Sequence, residues 1–175
     1  MDTSFIITFI GDDRPGLVEE LSSIISAQGG NWLESRLTRL AGKFAGLIRV
    51  SLPAERGDEL ERALRGLSER GLSVRVTPAW QVAQTSDGVR DIRLTIFGLD
   101  RAGIVREVAA ALAAKNINIV ELESSVESAP MSAELLFRAT VEAQLGNSGE
   151  LDALAAELDE IARQMLLDIH LEPLF

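Results

Sequence analysis

The chain has 175 residues, 46% of them apolar and 25% charged, with a formal charge of −10 and no cysteine. That composition is ordinary for a globular protein, and the missing cysteine excludes disulfides, thiolate metal sites and a cysteine nucleophile. The acidity argues against direct nucleic-acid binding, which needs a basic face; only two lysines occur, Lys43 and Lys115.

Phe5, Ile7 and Phe9 alternate with Ile6, Thr8 and Ile10 in a largely apolar, β-forming run, which predicts a buried first strand. Gly11-Asp-Asp-Arg-Pro-Gly16 breaks it. Leu17, Val18, Leu21, Ile24 and Ile25 then recur at helical spacing. Pro15 suits the first helical turn, Gly16 is expected inside that turn, and Asp13 is placed to accept from the free N–H groups of the helix. A strand over 32–38, a turn in which Gly42 supplies positive φ, and a strand over 44–52 follow, the last with Phe44, Gly46, Ile48, Val50 and Leu52 on one face. Leu60, Ala63, Leu64 and Leu67 mark an amphipathic helix over 58–70, Gly71 caps it, and residues 72–76 form the fourth strand before Pro78.

The opening stretch then returns. Ile92-Arg-Leu-Thr-Ile-Phe-Gly-Leu-Asp-Arg-Ala-Gly103 repeats it in a gapless register of 87 positions, matching Gly11 to Gly98, Asp13 to Asp100, Arg14 to Arg101, Gly16 to Gly103 and Asn31 to Asn118. The second copy continues with a helix over 103–115 and strands over 119–126 and 133–143, the latter with Leu135, Phe137, Ala139 and Val141 on one face. A helix striped by Leu151, Leu154, Leu158, Ile161 and Met165 and a strand over 167–171 complete it. A repeat of this length is one folding unit used twice. The expected boundaries are a domain over 1–79, a linker over 80–90 in which Trp80 packs on one of the domains, and a domain over 91–175. Two β-α-β-β-α-β units imply an α+β protein of two ferredoxin-like domains, each a four-stranded antiparallel sheet with both helices on one face. The apolar off-face residues Ile6 and Ile10 imply that the sheets join at their edges or that some sheet surface is buried; side-by-side pairing within the chain is the expectation.

No catalytic set stands out. His170 is alone in its strand with no Ser/Asp partner near it in sequence, no Gly-x-Ser-x-Gly occurs, and Gly11–Gly16 lacks the Lys-Ser/Thr of a phosphate loop. Glu121 and Glu123 share a strand face, which reads as solvated rather than metal-binding. The loops are more informative. Glycine at 16 and 103 lets a ligand approach the backbone, free N–H groups at a helix start hold a carboxylate, and Asn31 and Asn118 precede a second strand expected to start beside the same region. A carboxylate site with an ammonium acceptor is an amino-acid site; glycines and asparagines that merely turn and cap the chain are the alternative. Gly16→Leu is expected to block such a site without loss of fold.

Gly-Asp-Asp-Arg-Pro-Gly-Leu-Val and Gly-Leu-Asp-Arg-Ala-Gly-Ile-Val, each after a buried strand, resemble the strand–loop–helix signature of ACT domains, and Gly-Gly-Asn31 and Asn-Ile-Asn118 fit the same pattern. A bare tandem pair resembles the glycine cleavage system transcriptional repressor family. The resemblance implies a non-enzymatic regulator without cofactor or metal. It would bind a small amino acid, glycine or serine, at Asp12, Asp13, Arg14, Gly16, Leu17 and Asn31 and at Asp100, Arg101, Gly103, Ile104 and Asn118. It would act through a protein partner, in that family a LysR-type activator, rather than on DNA directly, and a homodimer fits the same picture. A ligand-free ACT module that dimerises or docks to a metabolic enzyme is the alternative. The second copy departs from the pattern at Leu99 and Ala102, which stand in place of Asp12 and Pro15, so its site is expected to bind less well. No apolar run reaches the roughly 18–20 residues that span a bilayer and no leader precedes Phe5, so the expected compartment is the cytoplasm, with no membrane partner.

Overall fold

The computed structural model describes residues 2–79, 90–130, 132–146 and 151–174. The expected linker and Trp80 lie outside the described residues, apart from Arg90, which begins a strand. Two compact units are present, Met1–Ala83 and Gln84–Phe175.

In the first unit, β1 (Asp2–Asp12) leads to α1 (Leu17–Ala27), β2 (Asn31–Leu40), β3 (Lys43–Pro53), α2 (Gly57–Arg65) and β4 (Ser73–Pro78), with short 3-10 turns on either side of α2. The strands lie in the order β2-β3-β1-β4, each antiparallel to its neighbour. The alternation in β1 does what its pattern requires. Phe5, Ile7 and Phe9 are buried opposite Val50, Ile48 and Gly46, and Leu17, Leu21 and Ile25 from α1 and Leu60 and Leu64 from α2 close the core over them. The β2–β3 connection has Ala41 and Gly42 both at positive φ, 49 and 79. That is the two-residue turn whose twist matches a hairpin, so Ala41 shares the strain that the sequence assigns to Gly42 alone.

The second unit repeats the plan with β5 (Arg90–Leu99), α3 (Ile104–Ala114), β6 (Asn118–Ser128), β7 (Leu135–Leu145), α4 (Leu151–Met165) and β8 (Leu167–Leu174), ordered β6-β7-β5-β8. Pro78 pairs with Phe5 and Pro173 with Ile92, so the prolines close equivalent ends of β4 and β8. Ile92, Leu94 and Ile96 pack with Val108, Leu112, Leu154 and Leu158. Leu135 shares its parity with Phe137 but is 55% exposed. Both units are therefore α+β sandwiches of one sheet and one helical layer, the ferredoxin-like arrangement. Among the described residues, no helix is long and apolar enough to cross a membrane.

The junction from the second helix to the last strand differs between the copies in an instructive way. Gly71 precedes β4 with φ 79, and Leu166 holds the same place before β8 with φ 53 and 64% of its surface exposed. A left-handed conformation costs an L-residue roughly 1–2 kcal/mol, and Leu166 regains little by burial. Leu166→Gly is expected to raise the stability of the second unit by about 1 kcal/mol, read as an increased urea midpoint at unchanged slope.

Candidate functional site

The β1–α1 loop is built on two glycines with different tasks. Gly11 is the close-approach residue: a Cβ there would stand 2.7 Å from Leu72 Cδ1 and 3.0 Å from the Gly71 carbonyl, and at Gly98 it would stand 2.7 Å from Leu167 Cδ2 and 2.9 Å from the Leu166 carbonyl. Gly16 is the conformational residue. It caps α1 with φ 90, as Gly103 caps α3 with φ 99. Neither is inside the first helical turn, so the expectation that Gly16 accepts leucine without strain is corrected: φ near 90 is disfavoured for any side chain, although the space beside it is open. Pro15 likewise precedes the cap rather than opening the helix.

The two aspartates do not cap their helices, since no side-chain bond reaches either N-terminus. They hold the loop from its other side. The Asp13 amide donates to the Gly42 carbonyl at 3.0 Å, and the Asp100 amide donates to the Leu135 carbonyl at 2.8 Å. The Asp13 carboxylate accepts a long bond of 3.4 Å from Arg39. Arg14 folds along α1 onto Glu20, with guanidinium–carboxylate distances of 3.2 and 2.6 Å, and Arg70 reaches the same carboxylate at 3.1 Å. Asp12 pairs with Lys43 across β1 and β3, which holds its carboxyl below its ordinary 3.8, by hydrogen bonding first and by charge second.

With the side chains so engaged, the first turn of α1 opens into a groove of about 600 Å³ lined by Asp13, Arg14, Gly16, Leu17, Val18, Glu19, Ser22 and Phe44. Amides at a helix start have no intrahelical acceptor. Phe44, tilted against Phe9 with ring centroids 5.6 Å apart, supplies an apolar wall. The groove thus offers backbone donors, a guanidinium and two carboxylates around a small apolar patch.

Asn31 is not there. It pairs with Ser51, and Ser51 pairs with Ser4 at the beginning of β1, whereas the loop follows Asp12 at its end. Eight residues of strand separate them, roughly 26 Å. Asn118 pairs with Gln144 and thence with Asp91, again remote from its loop. The expectation that the second strand starts beside the loop is corrected: β2 runs parallel to β1, and its end, not its start, neighbours the loop.

In the second copy, Leu99 stands at the place of Asp12 and Leu136 at the place of Lys43. An ion pair has been exchanged for an apolar pair, so the departure at Leu99 is matched across the sheet. Glu107, the counterpart of Glu20, bonds to Arg106 at 2.6 Å, and Arg101 makes no ion pair among the described residues. Sequence reading passed over Phe44, Glu19, Glu20, Ser22 and Arg70. A signal existed for two of them, since Phe44 and Phe137 face Gly11 and Gly98 alike and Glu20 recurs as Glu107. His170 is exposed, and its Nε2 lies 3.1 Å from Glu172 Oε1. Among the described residues no group of three or more His, Cys, Asp or Glu side chains could hold a metal.

A strand–loop–helix unit of this form, used twice, defines a tandem of small α+β domains. Family models described as ACT domain match residues 3–77 and 92–159, and the chain belongs to the ACT-domain family. A protein of unknown function from Galdieria sulphuraria is 31% identical over 100% of both chains, with a TM-score of 0.89. The structure of a candidate glycine cleavage system transcriptional repressor is 18% identical over 99% of this chain and 98% of that one, with a TM-score of 0.72, a likeness of fold. No curated protein matches the chain.

The Arg14–Glu20 pair yields a pH prediction. Hydrogen bonding from Arg14 holds the Glu20 carboxyl below its ordinary 4.5, with the charges of Arg14 and Arg70 adding to it. A depressed acid stabilises the fold above its unfolded pKa and loses that contribution as pH falls through the folded value. Arg14→Ala should therefore move the Glu20 titration, followed by carboxyl NMR shifts, upward. The stability difference between parent and variant should be largest above pH 4.5 and should vanish in more acid solution.

Proposed function

We propose that the protein is a non-enzymatic, cytoplasmic regulator that binds a small amino acid, glycine or serine, in the α1 groove and controls transcription through a protein partner. The observation that carries this reading is the conjunction, in one groove, of uncapped helix amides and the Asp13 and Glu19 carboxylates. An α-amino acid presents a carboxylate and an ammonium a few ångströms apart. The carboxylate suits the N–H groups of Leu17, Val18 and Glu19, and the ammonium suits the carboxylates at the rim. Gly16, without a side chain, leaves the approach to those amides open. The corresponding positions in the second copy are Asp100, Arg101, Gly103 and Ile104, and Arg101, which makes no ion pair among the described residues, makes that loop a second candidate for an anion. The candidate repressor among the structural neighbours supports the regulatory half of the reading, and the partner that the resemblance implies is a LysR-type activator.

The ligand is tested by thermal shift and isothermal titration with glycine, serine and the other common amino acids. A ligand that binds only the folded state stabilises it by about 2.7 kcal/mol at a hundredfold excess over Kd. Val18, 43% exposed in the first turn, gives a cleaner variant than Gly16. Val18→Asp places a competing carboxylate over the amides at a position where an acidic residue suits the helix dipole. It should keep the melting temperature and weaken binding at least roughly tenfold, about 1.4 kcal/mol, while Asn31→Ala leaves the affinity unchanged. No shift with any amino acid at millimolar concentration would favour the ligand-free interaction module. For the partner, gel shifts at low salt with glycine cleavage operator DNA should show no specific complex with the isolated protein; tight, sequence-specific binding would overturn control through a partner.

A further inference from the structure

The first copy closes its loop arginine on a carboxylate of its own, and the second does not. Arg14 lines the α1 groove, yet its guanidinium donates to Glu20 through both Nη atoms, at 3.2 and 2.6 Å, and Glu20 is not part of the groove wall. This is the forked geometry in which an arginine holds a carboxylate from any source. Glu20 Oε1 also accepts from Arg70 at 3.1 Å. One carboxylate thus serves two cations, one from the β1–α1 loop and one from the turn before β4. The fold does not require this arrangement, because the second unit closes the same loop without it. Glu107 stands at the place of Glu20 and bonds Arg106 at 2.6 Å instead, Met165 stands at the place of Arg70, and Arg101 makes no ion pair among the described residues.

We infer that Glu20 is an internal competitor for the ligand: it holds Arg14 until a carboxylate enters the groove, yields the guanidinium to that carboxylate, and keeps Arg70 when it lets go. This rests on the reading of the groove as the site of an amino-acid carboxylate, and it names the residue that regulates the affinity of that site. The exchange replaces one charge-assisted pair on Arg14 by another, so its cost is set by how Glu20 is left. With Arg70 in reach, Glu20 stays paired; without Arg70 it has only Arg14 and holds it more firmly. The side chains of Arg14 and Glu20 are 34% and 22% exposed, and an ion pair open to water is weak enough to be exchanged. The competitor also selects. Only a ligand with its own carboxylate can take the fork from Glu20, so an amine or a neutral amide meets a closed arginine. The second loop has no such competitor.

Titration of the full chain with glycine, and with acetate as a carboxylate that lacks the ammonium, tests this. Amide NMR shifts of Val18 and Glu19 report the first groove alone, and salt at ~0.15 M keeps the screening length near 8 Å. Glu20→Gln should tighten binding of both probes roughly two- to fivefold, the scale of a partly exposed ion pair, and Arg70→Ala should weaken it by a similar factor. A change of net charge alone gives the same signs, so the combinations decide. In an Arg14→Ala chain, Glu20→Gln should bring no gain; in a Glu20→Gln chain, Arg70→Ala should bring no loss. A general charge effect would persist in both. Circular dichroism checks that each variant folds. A Glu20→Gln chain that binds no tighter than the parent, an Arg70→Ala chain that binds no weaker, or differences that survive in the combinations would each overturn the competitor and leave the amino-acid site standing. Acetate binding in the expected order without glycine binding would support the competitor and sink the amino-acid reading. Binding that emerges only in Glu20→Gln supports the competitor, and no shift in either chain with either probe overturns both.

Discussion

Each unit depends on how the chain leaves the central strand. β1 ends beside the start of the last strand at a contact too close for a Cβ, and α1 begins six residues after Gly11. Between those two points the loop must reverse direction and deliver the helix onto the sheet with the right-handed crossover that parallel β1 and β2 demand. A left-handed residue at the cap makes the turn, and glycine supplies it at φ 90 and 99 in the two copies. The same geometry leaves the first amides of the helix without a side-chain cap. The open donors of the groove are thus a consequence of how the fold closes, and the ligand chemistry is an opportunity the fold provides in both halves.

The repeat made most of the fold readable. Two copies at constant offset discriminate between residues needed for the turn and residues merely present in one of them: Gly11 and Gly16 recur, Pro15 and Asp12 do not. Alternation in β1 and β3 and the four-residue spacing of Leu17, Leu21 and Ile25 report burial directly, because a strand and a helix expose one periodic face each. What the sequence obscured was direction. Asn31 follows a helix that returns the chain to the beginning of β1, so a motif close to the loop in sequence order lies at the opposite end of the sheet. Strand polarity in the β-α-β unit was enough to show this, and spacing alone was not. The Arg14–Glu20–Arg70 cluster was hidden for a different reason: Arg70 is fifty residues from its partner, and no local pattern joins them.

The substitutions between the copies are not uniform decay. Where Asp12 is lost, Lys43 is lost with it, and Leu99 and Leu136 occupy the same two places across the strands. The Asp12–Lys43 pair is exposed, so an apolar pair in its place costs little, and the Asp100 amide still ties the second loop to the Leu135 carbonyl. Where Gly71 is lost, by contrast, Leu166 keeps the left-handed backbone, and nothing in the structure explains the exchange.

A two-layer domain has one sheet face committed to its core and one that is not, and selection acts on the two differently. Packing restricts the covered face, which is why Phe5, Ile7 and Phe9 are answered by Ile92, Leu94 and Ile96. Solvation alone would leave the open face polar and free to drift, with charges of either sign in both copies. The copies differ there accordingly, Arg36 answered by Glu123, Arg49 by Glu142 and Thr77 by Glu172, with cations and carboxylates on both sheets.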